Sequence, residues 1–208
     1  MQRPGFRKQF FAWALKKTDS INNRIYSRYK HELFRYLQGT VVEVGPGTGI
    51  NLSYLSGIRE WIGIEPNAAF HSRIHELAMQ KGIRARIVNS SAEEIPIVDN
   101  SADAVISTLV LCSVADPAKV VLEMKRILKP GGKAIFIEHV AAPRHTVLRA
   151  AQNIFNLLNQ LIADGCHCNR ETWNVIEGAG FAQVSLKNYR VKEMFKFHEP
   201  HIVGFAVK

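Results

Sequence analysis

Three cysteines in 208 residues, Cys112, Cys166 and Cys168, are too few and too unevenly spread for a disulfide framework. A reducing, cytosolic compartment is therefore the expectation. Long hydrophobic runs are also missing: no stretch approaches the roughly 18 apolar residues that a bilayer span needs. The opening stretch Met1 to Leu15 has no apolar leader segment, because Arg7, Lys8 and Gln9 interrupt it, so no secretory signal is expected. Internal repeats and low-complexity tracts are absent. Acidic residues are scarce at the start. Residues 1–40 hold only Asp19 and Glu32 against nine Lys/Arg, which puts +7 of the chain's +9 in that segment. A basic arm on a nearly neutral remainder suits an anionic surface, either a membrane or nucleic acid. It says little about chemistry in the core.

What is present reads as one soluble globular unit, with 47% hydrophobic and 22% charged residues. Phe6, Phe10, Trp13 and Lys17 recur at helical spacing, and a second helical stretch runs from about Ile21 to Leu37, with Gly39 as a stop. The texture then changes to short β-branched runs. Strands are predicted at Val41–Val44, Trp61–Ile64, Arg84–Val88, Ala102–Ser107 and Ala134–Ile137. Two more are predicted at about Ala182–Val191 and His201–Val207. Helices are predicted at about Ala68–Gln80, Pro117–Leu128, Thr146–Ile162 and Glu171–Gly178. Short buried strands alternating with helices predict a doubly wound α/β fold with a mostly parallel seven-stranded sheet. Residues 1–38 would form a basic amphipathic helical extension, and residues 39–208 the domain proper.

In such a sheet the first strand–helix turn is the usual ligand site. Here it reads Glu43-Val44-Gly45-Pro46-Gly47-Thr48-Gly49. Its glycines allow a tight turn and close backbone approach to a ligand, and a following helix would aim its N–H groups at a negative group. A dinucleotide fingerprint would need a glycine at position 50, where this chain has Ile50. Glu43, two residues before Gly45, would repel a pyrophosphate but suits the ammonium of an amino acid. Glu65, at the end of the second strand, is placed to accept hydrogen bonds from a ribose diol. A ribose and an amino acid on one ligand describe S-adenosylmethionine (SAM) better than NAD.

The segment Glu43 to Gly49 resembles motif I of the class I SAM-dependent methyltransferases, a Rossmann-like fold, and Glu65 matches their second-strand acid. Ser91-Ala92-Glu93-Glu94-Ile95-Pro96 resembles the segment that cups adenine, with Ser91 where many relatives carry Asp. Asp99-Asn100-Ser101-Ala102-Asp103-Ala104-Val105 is similar to the D-x-S-x-D-x-V run entering strand four. Leu128-Lys129-Pro130-Gly131-Gly132 is similar to the turn before strand five. The resemblance implies SAM as cofactor, held by Glu43, Gly45, Pro46, Gly47, Gly49, Asn51, Glu65, Pro66, Asn67, Ser91, Ala92, Glu93, Thr108, Leu109 and Cys112.

A narrower resemblance, carried by Thr108 to Val114, Glu138-His139-Val140-Ala141, Asp164-Gly165-Cys166, Arg170 to Trp173 and Pro200 to Lys208, is to the alkyl thiol S-methyltransferases. It implies a small, lipophilic thiol acceptor. A thiol must lose its proton to attack a sulfonium methyl. His139, directly after strand five, and Asp164 are the candidates for that work. Cys166-His167-Cys168 lacks the second pair that a zinc set needs, so no metal is expected; with Cys112 these thiols could instead take trivalent arsenic. Quinone or phenol acceptors, RNA and a non-catalytic SAM-binding module stay open as alternatives. Nucleic acid is disfavoured by the neutral core and by the apolar Thr108-Leu109-Val110-Leu111 after strand four. Residues 1–17 are either a lid over the site or a peripheral membrane contact.

Overall fold

The computed structural model describes residues 5–162, 165–191 and 198–208. Seven strands form one sheet in the order β3-β2-β1-β4-β5-β7-β6. They are β1 (Thr40–Val44), β2 (Glu60–Ile64), β3 (Ala85–Val88), β4 (Ala102–Thr108), β5 (Leu128–His139), β6 (Gln183–Arg190) and β7 (Pro200–Val207). The first five pair in parallel, while β7 runs antiparallel to both β5 and β6. This is the doubly wound, mostly parallel seven-stranded sheet that the strand–helix alternation predicts.

Among the described residues, five α-helices flank the sheet: α1 (Phe6–Phe34), α2 (His71–Gln80), α3 (Pro117–Ile127), α4 (Val147–Ile162) and α5 (Thr172–Gly178). Inward residues of α3 and α5, including Val120, Met124 and Ile176, pack on one face with Val42, Val105 and Phe136. Tyr26 and Phe34 of α1 and Ile74 of α2 pack on the other with Val41, Ile106 and Ile137. Each fully buried aliphatic or aromatic side chain contributes about 1.5–3 kcal/mol of transfer free energy. Among the described residues no helix is long and apolar enough to cross a membrane.

Three local differences from the pattern matter for the site. Where the spacing predicts two helices before β1, α1 is continuous over 29 residues. Nothing between Lys17 and Ile21 breaks it, since Thr18, Asp19 and Ser20 are tolerated inside a helix whose flanks are packed. The glycine turn leads not into an α-helix but into a short 3₁₀ segment, Ile50–Tyr54, so no long helix dipole points at the ligand there. Ala68–Gln80 is likewise divided, with a 3₁₀ turn at Ala68–Phe70 ahead of α2.

Gly39 (φ +69°) shows why the approach to β1 is tight: a Cβ there would collide with the Asp103 carboxylate. That carboxylate accepts a 2.7 Å hydrogen bond from Thr40 N and is paired with Lys129. Asp103 of the D-x-S-x-D run thus ties β1 to β4 at the edge far from the ligand end.

Candidate functional site

A cavity of about 440 Å³ opens at the carboxyl ends of β1, β2 and β4. Glu43, Gly45, Pro46, Gly47 and Asn51 line it from the first turn, and Glu65, Pro66 and Asn67 from the end of β2. Ser91, Ala92 and Glu93 close one side, and Thr108 and Leu109 another. Gly49 does not line the cavity. It holds φ +76° against Ile74 and turns the chain. Cys112 also lies off the wall, in a separate cluster described below.

The first turn is shaped by crowding. Gly45 (φ +56°) N–H donates to Ile64 O at 2.9 Å, and a Cβ at Gly45 would meet Val110 Cγ2 at 2.7 Å. Glu65 is buried, and its two oxygens accept from Gly47 N (3.0 Å) and Asn67 N (2.8 Å). The carboxylate therefore welds the β1 and β2 turns together and keeps further lone pairs for a ligand. Burial pushes its pKa up. Glu43 accepts from Asn51 Nδ2 (2.8 Å) and Trp61 Nε1 (3.0 Å), and burial pushes it up to about 7. Across the cavity, Glu93 takes the Ser91 hydroxyl and, at 2.9 Å, the Ala115 N–H.

α1 supplies residues whose role no sequence pattern sets apart. Lys8, Phe11, Leu15, Asp19, Tyr26 and Lys30 all line the cavity. Lys30 is only 2% exposed, and burial lowers its pKa to about 8 against the pull of Glu43 and Asp19. In the sequence it is one of nine equivalent arm cations. The inward stripe of α1 is also not the one that the aromatic spacing suggests. Phe10 and Trp13 are each 58% exposed, whereas Phe11 packs edge-on against Phe70.

Glu138 is another residue whose position in the sequence carried no role. Fully buried, it accepts from Ser107 Oγ (2.6 Å), Val110 N (3.0 Å) and Leu111 N (3.1 Å). These bonds hold the turn after β4, where Leu109 sits at φ +57°, a conformation unusual for a branched residue. Burial, reinforced by Cys112, pushes Glu138 up to about 8.

At the carboxyl ends of β4 and β5, ligating atoms of Cys112, His139 and Cys166 lie within 4.8 Å of one another. His139 Nδ1 is 3.9 Å from Cys166 Sγ, and its ring packs on those of His198 and His201. The Cys112–Cys166 hydrogen bond lowers the Cys166 pKa and raises that of Cys112. His201 Nδ1 faces Glu199 O at 3.0 Å, so its Nε2 accepts from Tyr26 OH at 2.8 Å. Tyr26 thus reaches from the cavity wall towards the cluster. The triplet Cys166-His167-Cys168 is split: Cys168 turns the other way and donates to Gln152 O at 3.3 Å. Asp164 lies outside the described residues.

The fit to SAM rests on polar atoms that await a partner. Asn51 Oδ1 and Asp19 Oδ2 are buried acceptors with no hydrogen bond among the described residues, and both residues line the cavity. Such acceptors beside Glu43 suit an ammonium, and Lys30 on the same wall suits a carboxylate.

A family model described as a methyltransferase domain matches residues 42–136. Thiol S-methyltransferase TMT1A of Homo sapiens is 33% identical over 97% of this chain and 87% of its own length. Thiol S-methyltransferase TMT1B of Rattus norvegicus is 34% identical over 95% and 82%. Among solved structures, the methyltransferase bound to the Haloferax volcanii Trm112 activator matches with TM-score 0.73 at 17% identity, covering 100% of this chain and 99% of that one. A geranyl diphosphate methyltransferase solved with sinefungin matches with TM-score 0.64 at 13% identity, over 90% and 77%. Fold, cavity and relatives together define a class I SAM-dependent methyltransferase, an enzyme whose cofactor is SAM. Within that class the chain belongs to the family of the thiol S-methyltransferases.

Proposed function

We propose that the acceptor is a small lipophilic thiol, methylated on sulfur. The observation that carries this reading is the cluster of Cys112, His139 and Cys166 at the ends of β4 and β5. Leu109, Val110 and Tyr26 on the adjoining cavity wall give an acceptor an apolar approach to it. Two polarisable sulfurs and an imidazole suit a thiol better than a phosphate or a nucleobase. The names of the relatives at 33–34% identity support the same acceptor.

Bound SAM supplies an electrophilic sulfonium methyl. Glu65 would hold the ribose diol, and Ser91 and Glu93 the adenine. Asn51 Oδ1 and Glu43 would take the ammonium, and Lys30 the carboxylate. His139 would accept the proton of the acceptor thiol, readying the sulfur lone pair for the methyl that bound SAM would supply. The products are a thioether, S-adenosylhomocysteine and a proton. Holding both reactants in line supplies much of the acceleration. The N-terminal half of α1 acts as a lid that excludes water through Phe11 and Leu15.

One observation favours a second acceptor, trivalent arsenic: it binds neighbouring thiols, and the free Cys112 and Cys166 sulfurs lie within 4.8 Å of each other here. A screen with methyl-labelled SAM across alkyl thiols, phenols, quinones, arsenite and RNA decides. Label on thiol sulfur is the expected result; label on a phenol or RNA with inert thiols overturns the reading.

A further inference from the structure

Helix α4 is built inside out. Its inward residues are polar: Gln152 is fully buried and accepts from Ala142 N at 2.7 Å, and Asn159 donates to Cys166 O at 2.7 Å. Asn156 accepts from Cys168 N at 3.1 Å. Its outward residues are aliphatic, with Ile154 75%, Leu157 71%, Leu158 53% and Leu161 65% exposed. The only charged residue of the helix, Arg149, is drawn into an ion pair with Glu171 at 2.7 Å. A helix that spends its polar side chains on the protein and turns an uncharged aliphatic stripe outward fits an apolar environment on that side.

The charge around it says which environment. α4 follows the carboxyl end of β5. The first half of α1 lies over the same edge of the sheet, where Asn67 Nδ2 donates to Lys8 O at 3.1 Å and Thr48 Oγ1 to Asp19 at 2.8 Å. The outward face of α1 pairs Phe10 and Trp13, ring centroids 5.8 Å apart, with exposed Lys16 and Lys17. Aliphatic stripe, interfacial aromatics and lysines together are the pattern of a surface that lies in a lipid headgroup layer. A second copy is the poorer occupant, because it would bring one +9 molecule against another.

We propose that the outward face of α4, with Phe10 and Trp13 of α1, docks on an anionic lipid surface and turns the carboxyl edge of the sheet towards it. This holds whichever acceptor is methylated.

Flotation of the full chain with phosphatidylcholine vesicles, with and without phosphatidylglycerol, tests it. Wild type should float with the mixed vesicles, less with neutral ones, and less again in high salt. L157Q/L158Q/L161Q should lower partitioning by at least about tenfold, because three exposed leucines lose their apolar contact. Its thermal melt and its turnover of a water-soluble thiol should match wild type. In Leu158→Trp, brominated phosphatidylglycerol should quench emission beyond the wild-type level. Partitioning unchanged in the triple variant, or absence of added quenching in Leu158→Trp, overturns the proposal. So does a wild-type dimer that the triple variant dissolves while vesicles bind neither. An inactive but vesicle-bound wild type would overturn the thiol reading and leave this one standing.

Discussion

Glu43 and Lys30 place opposite charges on one cavity wall, and burial moves both towards neutrality, to about 7 and about 8 respectively. In the proposed binding mode SAM brings an ammonium and a carboxylate to that wall, and it would bind best when both side chains are charged. Below about pH 7 Glu43 must first lose a proton, so affinity should rise with pH there; above about pH 8 Lys30 is increasingly neutral, so affinity should fall. Calorimetric titration should give a bell with its top between these values, Glu43→Gln losing the acid limb and Lys30→Met the basic one. A flat profile in wild type would remove both from the methionine end. In the proposed reaction His139 serves the other reactant. His139→Gln should lower kcat by about 10²–10⁴-fold while leaving SAM affinity unchanged, with partial recovery above the thiol pKa. Single-turnover kinetics over pH separate these; an unaltered kcat would show that the acceptor needs no base here.

Among the elements, α1 departs furthest from its sequence pattern. A period of 3.6 lays down more than one stripe, and Phe6-Phe10-Trp13 is the most conspicuous. The stripe that docks is instead set by what lies beneath: Phe70 receives Phe11, and Leu15 sits over Gly47, where a Cβ would come within 3.2 Å. Tertiary partners chose the face, and no single-chain periodicity encodes them. The glycine turn was legible for the opposite reason, since positive φ and close approach are requirements of the backbone itself. Glu65 was legible because strand ends are. Lys30 and Glu138 were not, because burial of a charge depends on neighbours distant in sequence. Deleting residues 1–17 removes Lys8, Phe11 and Leu15 from the cavity wall. SAM affinity should drop by about tenfold or more, on the scale of losing one or two buried apolar contacts. Full turnover of a soluble thiol by the truncated chain would exclude a lid.

At the scale of the whole molecule, the two ends of the chain carry different duties. Helix α1 lies over the ligand edge, but β7 lies inside the sheet, hydrogen-bonded to β5 over Lys133–His139 and to β6 along its full length. It also pairs His201 opposite His139 and so completes the ring cluster around His139. Ile202 and Ala206 enter the core on one face and Val203 on the other, so its loss would open both. Ending the chain after Glu199 should therefore abolish the cooperative thermal transition and SAM binding together, whereas the 1–17 deletion should keep the transition and lose only affinity. Wild type with SAM at about 100 times its Kd should gain about 2.7 kcal/mol, or roughly 2–4 °C in Tm per kcal/mol for a chain of this size. Scanning calorimetry of the three proteins with and without SAM reads both effects. A cooperative, SAM-stabilised melt in the chain lacking β7 would mean that the five parallel strands form a self-sufficient cofactor domain, with β6 and β7 serving only the acceptor side.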